Sequence, residues 1–182
     1  MSPPSIPGMR INEALTARAK ALGVRIIIGS KVTGFESDKT RVTSVILQQA
    51  GRDQGYGADN FVYCPGGFES GGLIMDSYGK VSEPLFGLPI SGADDPDLVT
   101  GDYWVDQKLF TLGVSVDSSM RVGYKNLYAA GGILAGATRW TEKSGDGIAI
   151  ASAYQAANSI MGDSPTKKTG TKKADDKDAT NV

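Results

Sequence analysis

The stretch "NLYAAGGILAG", residues 126–136, followed by "SGDGIAIASAYQAANSI", residues 144–160, decides how this chain is read. Leu127, Tyr128, Ala129 and Ala130 fit the interior of a buried strand, and Gly131-Gly132 stop it. The second stretch reads as a helix over about 147–161, opened by glycines. Its alanines at 149, 151, 153, 156 and 157 permit close packing against a sheet or a ligand. A glycine break lets backbone come close to a ligand at the carboxyl end of a strand, where open α/β sheets bind their ligands. The first N–H groups of the helix and its positive dipole end suit a phosphate or a carbonyl oxygen. The same glycines also serve a plain strand–loop–helix unit that only has to turn.

Working outward, "CPGGF", 64–68, repeats the pattern, because "FVYC", 61–64, is a short buried-strand signal broken by Pro65-Gly66-Gly67. One strand ending in paired glycines says little. Two of them suggest one shared pocket. Cys64 reads as a small buried apolar residue rather than a redox centre.

Earlier in the chain, Ile11, Leu15, Ala19 and Leu22 recur at helical spacing over 10–22, with Gly23 as the stop. "VRIII", 24–28, reads as a buried strand of β-branched residues. "KVTGFES", 31–37, and "RVTSVILQQ", 41–49, predict a hairpin about Asp38-Lys39-Thr40, and "GRDQGYGADN", 51–60, a glycine-rich turn. Residues 68–122 are irregular, with strand candidates near 109–116, and residues 163–182 read as a disordered polar tail. The expected division is therefore 1–67 (helix, hairpin and strand), 68–122 (a cap-like insertion), 123–162 (closing strand and helix) and 163–182 (tail). The fold class is α/β (or α+β).

Composition narrows the chemistry. The chain has 182 residues, 40% of them hydrophobic, enough for a real core. Its 24 glycines favour many tight turns. A net charge of −1 offers no electrostatic case for nucleic acid. One cysteine and no histidine exclude an internal disulfide, histidine-ligated metals and histidine-assisted nucleophiles, so a metal site is not expected. No general base can be named, and the catalytic residues stay unknown. No apolar run is long enough to span a membrane, and the opening residues carry no signal-peptide core. A reduced, cytoplasmic setting fits.

"TRWTEKSGDG", 138–147, is the most chemically loaded loop. Arg139 and Lys143 suit a phosphate or carboxylate, and Trp140 could cover a planar ring; a solvated loop with one aromatic anchor is the other reading. Ser144 and Asp146 are candidate helix caps.

The combination "FVYCPGGFESGGL", "EPLFGLP", "GDYW", "NLYAAGGILAG" and "SGDGIAIASAYQAANSI", with "PPSIPGMRINEAL" near the start, resembles the B-subunit family of anaerobic glycerol-3-phosphate dehydrogenase. That family lies within the flavoproteins related to fumarate reductase and succinate dehydrogenase. The resemblance covers about residues 3–161. It implies a flavin, FAD or FMN, held by a Rossmann-like flavin-binding domain with a cap. It implies oxidation of glycerol 3-phosphate to dihydroxyacetone phosphate, with electrons passed to the quinone pool during anaerobic respiration. Implied partners are a catalytic flavoprotein subunit and a membrane-associated iron–sulfur subunit, which would place the chain peripherally on the inner face of the cell membrane. By the same resemblance Gly66, Gly67, Gly131, Gly132, Gly145, Gly147 and Ile148 are the cofactor-binding positions. Two departures stand out. Many related flavoproteins carry an acidic residue where this chain has Gly132, and no G-x-G-x-x-G turn opens the chain. The expectation is thus a flavin-binding domain in part, resembling the carboxyl-terminal portion of the family protein. The alternatives are a non-catalytic assembly module and a fumarate-reductase-like flavoprotein with another substrate.

Overall fold

The computed structural model describes residues 6–49, 51–99, 101–102, 107–137 and 142–163. The chain folds as α+β. Helix α1 (Ile6–Ala21) comes first, and Gly23 closes it in the left-handed region at φ +80°. The Val24 N–H reaches back to the Ala19 C=O at 3.0 Å, the six-to-one bond of a glycine-stopped helix end. Strands β1 (Lys31–Ser37), β2 (Val42–Gln49) and β3 (Arg52–Gly57) form an antiparallel meander. The turn between β1 and β2 is made locally: Asp38 Oδ1 accepts the N–H groups of Thr40 at 2.7 Å and Arg41 at 2.6 Å.

Strand β4 (Phe61–Tyr63) pairs in parallel with β9 (Leu127–Ala129), 66 residues later in register. Between them lie the short strands β5 (Ile74–Met75), β6 (Val81–Ser82), β7 (Ile90–Ser91) and β8 (Gly113–Val114), paired β5–β6 and β7–β8. Helix α2 (Gly145–Asp163) ends the described chain. The main core joins Val42 of β2, Leu73, Leu88, Val114 and Val122 of the intervening stretch, and Leu127, Ala129 and Ile133 around β9. The irregular stretch 68–122 therefore packs its apolar side chains into the same core as the sheet.

Two local expectations are corrected. The run 24–28 is not a strand: it is unpaired, and Ile28 is 85% exposed. Strand propensity survives there, but among the described residues no strand pairs with it, and its contact with β3 is Arg25 over the Tyr56 ring. The stretch 51–60 is not simply a turn. Gly51, at φ +77°, makes the turn, and 52–57 run back along β2 as an edge strand whose polar composition matches its exposure. Helix α1 has apolar residues at helical spacing yet buries none of them. The candidate tail from 164 onward lies outside the described residues.

Candidate functional site

The parallel pairing of β4 with β9 brings the two glycine breaks together. Phe61 N–H donates to the Asn126 C=O at 2.9 Å, and Ala130 N–H donates to the Tyr63 C=O at 3.1 Å, so both strands end at one edge. Gly66 leaves that edge at φ +79° and Gly131 at φ +78°, a region that L side chains rarely adopt. At Gly66 an added Cβ would lie 2.6 Å from Ser70 Oγ, so the site also lacks room. Gly67 is buried beside it, and Gly132 is half-buried beside Gly131.

Helix α2 is tied to the second break by one side chain. Ser152, buried in the helix, accepts the Gly131 N–H at 2.9 Å and donates to the Ile148 C=O at 2.5 Å. This places Ala149 against Gly131, 4.0 Å from where a Cβ would stand. The helix begins with Ile148 N–H donating to the Ser144 C=O at 2.9 Å. Ser144 therefore caps through its backbone, because its hydroxyl is engaged by Glu142 at 2.9 Å. Gly145 and Gly147 face open space, and their N–H groups belong to the first turn, which has no intrahelical acceptors. Asp146 stands in the same turn and favours the positive helix end.

The structure thus unites Gly131, Gly132, Gly145, Gly147 and Ile148 around one strand–helix junction, with Gly66 and Gly67 on the adjoining strand end. Lys143 is exposed at φ +52° beside the helix start. Arg139 and Trp140 lie outside the described residues. Cys64 is exposed rather than buried, so that expectation is corrected. Neighbouring atoms nevertheless shield its sulfur enough to push the thiol up, partly offset by the Ala130 N–H. A thiol held protonated is a poor nucleophile. Among the described residues no cluster of acidic or cysteine side chains is arranged to hold a metal.

Sequence reasoning missed three supporting residues. Ser152 is hidden in an alanine-rich helix. Gly72 packs so closely under the first break that a Cβ would fall 2.2 Å from the Gly66 C=O. Glu83 is buried, and its carboxylate accepts the Tyr63 hydroxyl at 2.6 Å and the N–H groups of Leu85 at 2.7 Å, Phe86 at 2.8 Å and Leu88 at 3.2 Å. Four donors stabilise a carboxylate out of water. Burial first, then the Glu83 hydrogen bond and charge, push the Tyr63 hydroxyl well above its usual value. This pair fixes Phe86 against Tyr63, ring centroids 5.0 Å apart, on the wall of an open groove of about 920 Å³ beside β4.

The FAD binding domain family matches residues 1–148, and the chain belongs to that family. It is most usefully compared with curated relatives of one kind. A probable B subunit of anaerobic glycerol-3-phosphate dehydrogenase from Halobacterium salinarum is 32% identical over 164 residues, 86% of this chain and 38% of the relative. The B subunits of the anaerobic glycerol-3-phosphate dehydrogenases of Pasteurella multocida and Actinobacillus pleuropneumoniae are 31% and 28% identical, each over 88% of this chain and 40% of the relative. The chain therefore spans about two fifths of the length of these relatives.

FAD is the group the family binds, and the described residues fit one wall of such a site. Two left-handed glycine turns end the paired strands, and the first turn of α2 supplies N–H donors that have no intrahelical acceptors. Asp146 competes with an incoming anion for that helix end, which favours a carbonyl or hydroxyl of the ligand there over a phosphate. No helix among the described residues is long and apolar enough to cross a membrane.

Proposed function

We propose that this chain supplies one wall of the FAD site in a flavin-dependent dehydrogenase subunit, and that its substrate is glycerol 3-phosphate. The observation that carries the reading is the in-register parallel pairing of β4 and β9, which sets both glycine turns and the α2 start at one edge. Gly66, Gly67, Gly131 and Gly132 give backbone access to the cofactor. Gly145 and Gly147 offer it their first-turn N–H groups, while Ile148, whose own N–H is held by the Ser144 C=O, lies beside them. Lys143 and Arg139 are the cations nearest in sequence to the helix start and would attract an anionic substrate.

Bound FAD supplies the redox chemistry: oxidation of glycerol 3-phosphate to dihydroxyacetone phosphate releases two electrons and two protons, and the flavin can take them. The protein's own part is to hold and orient. These relatives are each a subunit of a dehydrogenase, which supports partner chains in the assembly, and an iron–sulfur subunit and the quinone pool are the proposed onward acceptors. In that assembly the chain sits on the cytoplasmic face of the cell membrane, with 68–122 as the covering segment.

The test is flavin uptake by the purified chain. The full chain is mixed with FAD or FMN, passed through gel filtration and scanned across the visible flavin bands. Retained FAD bands, weakened when Gly131 is changed to Val, support the proposed wall. Equal retention by the Gly131→Val variant, or retention of neither flavin when the chain is co-expressed with its partner subunits, overturns it.

A further inference from the structure

The first glycine turn has little of its own to hold it. Gly66, Gly67, Gly71 and Gly72 fall within seven residues, and glycine loses more backbone freedom on ordering than any other residue. Inside the turn the Gly67 C=O accepts the N–H groups of Gly72 at 3.0 Å and Ser70 at 3.3 Å. Upstream stands Tyr63, at the close of β4, whose C=O accepts the Ala130 N–H at 3.1 Å. Downstream stands β5, paired through Ile74 and Met75 with β6. Glu83 follows β6 directly, and its Oε1 accepts the Tyr63 hydroxyl at 2.6 Å across 20 positions of chain. One buried carboxylate therefore closes a loop that runs from Tyr63 through the glycine turn and the β5–β6 hairpin and back. Its other bonds, from the N–H groups of Leu85, Phe86 and Leu88, stay within its own turn.

We propose that Glu83 is a positioning residue for FAD: by closing on Tyr63 it fixes the first glycine turn in the backbone conformation that Gly66 and Gly67 present to the cofactor. This rests on the reading of those two glycines as cofactor contacts, and adds what sets their geometry. Closing the loop at both ends removes freedom that its glycines would otherwise keep. Glu83 is 3% exposed, and charge-assisted hydrogen bonds are strong out of water. Its four hydrogen bonds fill the roughly four acceptor sites of a carboxylate, so Glu83 orients the turn and takes no proton from substrate. A glutamine cannot stand in for it. Oε1 receives Tyr63 and Leu85, Oε2 receives Phe86 and Leu88, and an amide NH2 at either place would face an N–H donor. The β4–β9 pairing is made by backbone and does not depend on this contact.

The test follows amide hydrogen exchange in the full chain and FAD affinity in the same variants. Tyr63→Phe removes only the joining bond. Expected is exchange about tenfold faster at Ser70 and Gly72, whose N–H groups report the turn, with Leu85, Phe86 and Leu88 unchanged, and FAD affinity reduced by a similar factor. Glu83→Gln speeds exchange at both sets and weakens FAD binding further. The Val42 and Gly131 amides, held by Asn126 and Ser152, keep their rates, which a general loss of stability would not allow. If Glu83→Gln does not fold, Tyr63→Phe, which keeps the aromatic ring against Phe86, decides alone. Unchanged exchange at Ser70 and Gly72 in Tyr63→Phe, or equal acceleration at Val42 and Gly131, overturns the inference. So does FAD affinity equal to that of the native chain, a result that leaves the glycine wall itself standing. A native chain that binds no FAD, alone or with its partner subunits, overturns the wall and this inference together.

Discussion

Two apolar stretches of this chain meet opposite fates. Around β9, Leu127, Ala129 and Ile133 are fully buried. Along α1 and the run 24–28, similar residues, among them Ile11, Leu15 and Ile28, stay in water. The difference is not hydrophobicity. Strand β9 has a strand on one edge, a hydrogen-bonded segment on the other and α2 against its end, whereas among the described residues the first stretch pairs with no strand and meets β3 through Arg25, set over the Tyr56 ring. Apolar residues define what a segment needs, and the surrounding chain decides whether it gets it.

The comparison can be broken most forcefully at Asn126. Its side chain accepts the Val42 N–H at 2.9 Å and donates to the Val42 C=O at 2.8 Å and the Asp59 C=O at 3.0 Å, all next to β9. Asn126→Ala strands these buried groups, and urea unfolding is expected to show a loss of about 3 kcal/mol. Next comes Gly113→Ala. The new methyl would meet the Ile133 C=O at 2.4 Å and the Ala135 N at 2.5 Å, backbone that cannot step aside. A loss of about 2 kcal/mol in the same assay is expected.

Ser152→Ala sharpens the comparison at the candidate site. It removes the acceptor of the Gly131 N–H and should lower stability by about 1 kcal/mol while weakening FAD uptake more than stability alone explains. Flavin binding by the folded variant, measured beside its melting temperature, separates the two effects. A variant that melts lower yet binds FAD normally would show that α2 need not be held against the glycine turn.

The Tyr63–Glu83 pair gives a pH dependence. The folded hydroxyl titrates above the ordinary tyrosine value of 10.0, so its contribution is complete below that pH. It is lost as pH rises from there toward the folded value, because the unfolded chain ionises first. Stability measured across the alkaline range should fall more steeply for the native chain than for Tyr63→Phe. The smallest effect is expected at Ile28→Ser, within about 0.5 kcal/mol in the isolated chain, since the residue is already solvated. A large loss there would mean that the first stretch has a partner after all.

The hairpin of β1 and β2 was legible because its turn is local: Asp38 satisfies the N–H groups two and three residues on, whatever the rest of the chain does. Strands β4 and β9 and helix α2 were legible because glycines end or open them. The third strand escaped because "RDQGYG" is as polar and glycine-rich as a turn, and only its pairing to β2 makes it a strand. The run 24–28 misled for the converse reason, since β-branched composition signals a preference and a preference alone forms no sheet. At the candidate site, the glycines announced themselves. Ser152, Gly72 and Glu83 did not, because their roles depend on atoms distant in sequence.

By itself the sequence determined the local pieces: the Asx turn at Asp38, the glycine stops after two apolar strands and the alanine-rich helix that follows the second. These depend on dihedral freedom and on hydrogen bonds between near neighbours. Only the tertiary structure decided that β4 and β9 lie side by side and parallel, that Ser152 holds the helix against Gly131, and that the Glu83 carboxylate closes on Tyr63. Parallel strands share no hairpin that could announce their pairing, so it emerges only when the core between them closes.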